Sequence, residues 1–342
     1  MSDTIHFHLP GYWHHQKLNL LLLALMRDDP DAFYPVKIGS VYDSFPSAIW
    51  NGGRIITGSF ATREQIRETY ERFAEFDVPL RHTFTNKLLM DTDVHDRYCN
   101  MILNEGKGRK VDVLVNSPIL EEYIEDNFPD YSIISSTTKR LTDLDDLQEE
   151  LKKDYNIVVL DYALNRDPHI FTLEGKEKLE ILVNAYCCDN CSKRSGHYLH
   201  MSNVQLNFGY SKEQLESENG DDLFQCSHIS QDFYSVLATR KSSLKVEDIY
   251  GFYHDMGFRH FKIEGRTNNP ADVLESYIYY LVRPAFKDHI RLLLWRAMMT
   301  PDDMVMKNLV FNTPENIRKD IKISLVDSNA CPVLDSDGTR IC

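Results

Sequence analysis

The chain holds 342 residues, 42% hydrophobic and 26% charged, a composition that can bury a sizeable core in one large domain or two ordinary ones. Its formal net charge of −14 gives a surface that repels phosphate backbones and argues against bulk nucleic-acid binding. Seven cysteines, an odd number and several of them clustered, argue against a secreted disulfide framework and for a reducing, cytoplasmic setting.

The chain opens with Ile5-His6-Phe7-His8-Leu9-Pro10, histidines alternating with apolar residues as in an extended lead-in or an edge. The apolar run 18–26 is too short to span a bilayer, and Arg27-Asp28-Asp29-Pro30 closes it. It has neither a basic start nor a small-residue cleavage site, so it reads as a packing helix from about Trp13 to Arg27. Residues 1–34 thus form a helical lead-in, and no membrane association is expected.

From there a rhythm sets in. Strand candidates fall at 36–41, 54–57, 78–85, 111–116, 131–135, 157–161, 180–186 and 258–264. Helical patterns lie between most of them: one opening at the capping box Thr62-Arg63-Glu64-Gln65, then 91–104, 118–127 and 141–153. Eight strands alternating with helices predict an α/β fold, a TIM-like (β/α)8 barrel over residues 35–300. A doubly wound open sheet is the alternative. Strand after strand also ends in a polar group: Asn86, Asn116, Ser135 with Ser136, Asp161, Asn184, and Glu264 with Arg266. A parallel barrel would gather those ends around one mouth, where barrel enzymes build their sites.

Three thiols, Cys187, Cys188 and Cys191, follow the seventh strand, and a fourth, Cys226, returns from the connection beyond. Thiolates are soft ligands that suit zinc, copper(I) or an iron–sulfur cluster. Structural zinc sites take two close pairs, so zinc requires His197 or His200 to join; iron–sulfur ligation accepts uneven spacing and is favoured. Unrelated buried cysteines are the plain alternative. The cysteines sit in a long insertion, 187–257, between strands seven and eight, with a polar run 211–222 and a helix 246–256. Long helices follow Pro270, and 301–342 reads as a C-terminal extension in which Cys331 and Cys342 are incidental.

In the eighth strand, alternation puts Lys262 and Glu264 on one face, which in a barrel is the interior or the water side. A buried Lys–Glu pair would imply function; the alternative is an ion pair with Arg266 or outward-facing charges. After the sixth strand, Arg166 can clamp a carboxylate or brace its loop. The turn Asn51-Gly52-Gly53-Arg54 lacks phosphate-loop spacing, and the basic pair Lys193-Arg194 reads as solvated surface.

The run from Asn184 to His197 resembles the peptidase U32 family when taken together with Leu164-Asn165-Arg166-Asp167 and Lys262-Ile263-Glu264-Gly265-Arg266. The likeness is best over about 161–270. It implies a TIM barrel, long described as collagenase-like protease, with iron–sulfur relatives that support oxygen-independent hydroxylation of RNA bases or ubiquinone precursors. It further implies a 4Fe–4S cluster on Cys187, Cys191 and Cys226, where Cys188 either completes the set or leaves one iron open. Lys262, Glu264 and Arg266 would then be catalytic, and Asp161, Asn165, Arg166, Asn184 and His197 would bind a small or modified substrate. Metal-assisted peptide hydrolysis with Glu264 as base, and a non-enzymatic iron–sulfur subunit that serves a protein partner, are the competing readings.

Overall fold

A computed structural model describes residues 4–207 and 231–300, with 333–334 and 340–341. Among the described residues, eight parallel strands close into a barrel: β1 (Ile5–Pro10), β2 (Val36–Asp43), β3 (Leu80–Phe84), β4 (Val111–Val115), β5 (Ser132–Ser135), β6 (Ile157–Val159), β7 (Leu179–Leu182) and β8 (His260–Lys262). Each strand pairs with its neighbour in sequence, and β1 closes the ring on β8 through His6↔His260 and His8↔Lys262. The (β/α)8 barrel and the long connection between β7 and β8 are therefore as expected.

Membership of the ring differs in one strand. Residues 5–10 are neither a lead-in nor an edge: they form β1, paired on both sides, with Phe7 and Leu9 buried outside the ring and His8 buried within. Residues 54–57 form no strand. The backbone N–H and C=O of Ile56 are instead taken by the side-chain amide of Gln205, at 2.9 Å each. A side chain thus supplies what a neighbouring strand would, so a short apolar run can be buried here without entering the sheet.

The helices α1 (Gln16–Asp28), α2 (Arg63–Ala74), α3 (Arg97–Gly106), α4 (Pro118–Asn127) and α5 (Leu144–Lys152) follow the early strands. In α2 the capping box is complete, and Ile66, Thr69, Tyr70 and Phe73 make one buried face at i, i+3, i+4, i+7. By compactness the chain divides into one unit of Met1–Leu20 with Pro35–Ser276, which holds the whole barrel, and a second containing Leu21–Tyr34 and, of the described residues, 277–300, 333–334 and 340–341. In the second unit Phe33 bridges Val282, and Tyr34 N donates to Leu281 O at 2.9 Å. No helix among the described residues is long and apolar enough to cross a membrane.

The barrel interior has two chemically distinct sides. Leu114, Ile134, Ile157 and Val159 from β4–β6 form an apolar cluster. The strands β1, β2, β3, β7 and β8 turn inward His8, Ser40, Arg81, Glu180 and Lys262, all buried. Charges inside a closed ring are costly unless paired. Here they are: Glu180 binds Arg81 directly, lies 3.2 Å from Lys262 Nζ and 3.3 Å from His8 Nε2, and Arg81 also reaches Asp112 at 3.5 Å. His8 continues to Ser40 at 2.8 Å and to His260 at 3.1 Å.

Candidate functional site

A cleft of about 130 Å³ opens at the carboxyl ends of the strands. Its floor is Lys262 with Thr83, Leu114 and Leu182; its walls carry Glu264, Arg266, Arg54, Tyr162 and Cys187. The helix α6 (Arg194–Leu206), from the long connection, contributes Arg194, His197, Tyr198 and Met201. These four recur at i, i+3, i+4, i+7, one helical face turned to the cleft. Gln205 on the same helix fastens it to Ile56 and to Ala48 O at 3.0 Å.

Four lining side chains are cationic, Arg54, Arg194, Lys262 and Arg266, against the single carboxylate of Glu264. Each is held in place. Arg54 pairs with Glu264, whose second oxygen accepts the Tyr186 N–H at 3.0 Å. Arg266 donates to Thr83 Oγ1, to Asn51 Oδ1 at 3.0 Å and to Gly52 O at 3.1 Å, with Asp43 at 4.0 Å. Gly52 packs directly on the β3 strand end, where a Cβ would lie 2.4 Å from the Thr85 carbonyl. Arg194, expected at the surface, is buried: its guanidinium stacks 3.7 Å from the Tyr162 ring centre and donates to Asp161 at 2.8 Å and Tyr198 Oη at 3.0 Å. Lining a pocket with stacked and paired arginines is what removes them from solvent; a two-residue basic run in sequence carries no sign of it.

Lys262 lies beneath the Tyr42 ring, 4.2 Å away. Burial pulls its ammonium down to about 8; Glu180 resists this and the guanidinium of Arg81 adds to it. Glu180 is the reverse case: burial raises its carboxyl, but Arg81, Lys262 and His8 outweigh burial and hold it well below the usual range. Glu180, Arg81, His8 and Arg54 were all missed in the sequence. For the three on strands, inward-facing charge has the same alternation as outward-facing charge; Arg54 lies in a loop.

Of the residues expected at the site, Lys262, Glu264, Arg266, Cys187 and His197 line the cleft. Asp161 stands behind it and orients Arg194. Asn184 braces the backbone of Glu264, accepting its N–H at 2.6 Å and donating to its C=O at 3.0 Å. Asn165 and Arg166 lie elsewhere. Asn165 ties Leu182 O to Ser242 O, and Arg166 binds Ser243 O and Asp248, both at 2.8 Å. Lys262 and Glu264 share a face without pairing to each other or to Arg266.

Cys187, Cys188 and Cys191 are each partly exposed, and Cys187 packs on Tyr162, Leu182 and Ala185. Burial pushes the Cys187 thiol up, and Cys191 is near enough to push it the same way. Cys226, Cys331, Cys342 and the run 211–222 lie outside the described residues, among which no three His, Cys, Asp or Glu side chains gather as a metal set. The donor chemistry fits a soft metal or cluster: three thiols fall within 187–191, one of them in the cleft wall beside the buried Tyr162 hydroxyl.

No family model and no curated protein matches the chain. Among solved structures it is similar to the U32 peptidase Mk0906, with a TM-score of 0.47 and 12% identity, covering 77% of this chain and 93% of that one.

Proposed function

We propose that this chain is a barrel enzyme acting on a small anionic substrate in the cleft, with an iron–sulfur cluster held at the rim by Cys187, Cys188, Cys191 and Cys226. The reaction is of the oxygen-independent hydroxylation, dehydration or related redox type. One observation carries this reading: Cys187 stands in the wall of the same cleft as Lys262, Glu264 and Arg266. When bound, such a cluster supplies electrons or a Lewis-acidic iron.

The chain's own residues supply recognition and proton handling. Arg54 and Arg194 draw an anion into a cleft of an otherwise acidic protein, where low dielectric strengthens their pull. Glu264, fixed by Arg54 and the Tyr186 amide, is a carboxylate able to take a proton at the strand end. The Tyr162 hydroxyl can donate to a substrate oxygen. The α6 face forms one wall of the mouth.

Anaerobic purification with iron and sulfide analysis tests the proposal. Bound iron and sulfide in equal amounts are expected, and Cys187→Ala and Cys191→Ala should lose them while keeping a wild-type circular dichroism spectrum. A colourless, iron-free protein after reconstitution with iron and sulfide would refute it.

A further inference from the structure

We infer that Lys262 is a nucleophilic amine that forms an imine with a small carbonyl compound carrying an anionic group. The inference rests on the reading of the cleft as a site for a small anion and names the substrate's second functional group.

The side chain of Lys262 is 6% exposed and ends in the cleft floor. Around it stand Glu180 on β7, Arg81 on β3, Arg266 beyond β8, His8 on β1 and the Tyr42 ring on β2. Among these Glu180 is the one carboxylate, and it is already bound by Arg81. Arg81 also reaches Asp112 at 3.5 Å and Arg266 lies 4.0 Å from Asp43, so the ammonium is disfavoured chiefly by its burial, with the two neighbouring guanidiniums adding to that. Arginine does not give up its proton, so the lysine does. An adjacent cation and desolvation together are how amines are activated as nucleophiles. The amine is held by one ion pair, Glu180 Oε1 at 3.2 Å from Nζ, and Arg81 shares that carboxylate.

With the group at about 8, roughly a quarter of the amine is neutral at pH about 7.5, against about one part in a thousand for an ordinary lysine. The nitrogen lone pair forms the C–N bond while the carbonyl π pair moves to oxygen. The two amine protons then leave with that oxygen as water, and C=N remains. Arg54 and Arg194 hold the anionic group. The imine withdraws electrons from the neighbouring carbon, whose proton Glu264 can accept.

The full chain, purified without oxygen, is incubated with pyruvate and sodium borohydride, which reduces the imine to a stable secondary amine, and labelled peptides are mapped by mass spectrometry. Lys262 should label about a hundredfold faster than the exposed Lys110, in line with the difference in neutral amine. Lys262→Arg should abolish that label and leave the Lys110 label unchanged. With rates normalised to Lys110, pyruvate should exceed uncharged acetone at Lys262 by about tenfold, the worth of one charge-assisted contact. Labelling of Lys262 no faster than Lys110 would overturn the proposal, with no variant needed; equal normalised rates would overturn its anionic half. Iron measured on the same sample separates the two readings. Iron-free protein that labels Lys262 keeps the imine and removes the cluster, and iron-loaded protein with an inert Lys262 does the reverse.

Discussion

Replacing Glu180 by Gln withdraws the carboxylate that Arg81, Lys262 and His8 share inside the barrel. Glu180 and Arg81 are wholly buried and Lys262 nearly so, so water cannot compensate the cations left behind. Losing one partner of a buried pair costs about 3–5 kcal/mol. Lys262 can shed its proton, whereas Arg81 cannot; the cost is that of one guanidinium left with Asp112 at 3.5 Å. Urea unfolding followed by circular dichroism at neutral pH should therefore show Glu180→Gln less stable by about 3–5 kcal/mol. Arg81→Met should cost a similar amount. Arg81→Met with Glu180→Leu should lose about 2 kcal/mol less than the sum of the singles, because the second change removes a charge already stranded by the first. Additivity within about 0.5 kcal/mol, or a single-variant loss under about 1 kcal/mol, would refute a paired ionic interior.

Acid should also weaken the fold through its buried histidines, His82 and His260 among them. Burial lowers His82, which sits between the hydroxyls of Tyr12 at 2.8 Å and Tyr70 at 2.5 Å, to about 3. Burial, resisted by Glu180, lowers His260 to about 4. Both folded values lie below the unfolded one, so their stabilisation is complete above pH about 6.5 and is lost as pH falls toward the folded values, at about 1.4 kcal/mol per pH unit for each. Unfolding free energies measured between pH about 6.5 and about 4.5 should fall with that slope, and more gently in His82→Phe; an unchanged slope in the variant would contradict the assignment. Arg166→Ala should speed amide hydrogen exchange over residues 241–248, whose carbonyls and Asp248 it holds, and unaltered exchange there would show that it is no brace.

The barrel was legible because its helices and strands alternate in period, and the capping box at Thr62 fixed one helix start to the residue. Two strand assignments exchanged for physical reasons. Ile5–Pro10 precedes a helix and contains two histidines, so nothing local marks it as a ring-closing strand. Residues 54–57 are apolar because Ile56 is buried, but under Gln205 and not in the sheet. The mouth was legible wherever strand ends carry polar groups, as at Glu264 and Arg266. Arg194 and Arg54 were not, since what makes them site residues is the tyrosine stack of one and the carboxylate partner of the other, both set by distant parts of the chain. Asn165 and Arg166 carry the same chemistry as binding residues, and only their carbonyl partners assign them to the loop frame.

If the thiols and the cationic cleft are one site, the reduction potential of the proposed cluster in Arg194→Gln reports it most directly. Arg194 lies within electrostatic reach of Cys187. Removing its charge should favour the oxidised cluster and shift the potential, followed by electron paramagnetic resonance in an anaerobic redox titration, to a more negative value than in the wild type. An unshifted potential, or the absence of any cluster signal in the wild type, would contradict it.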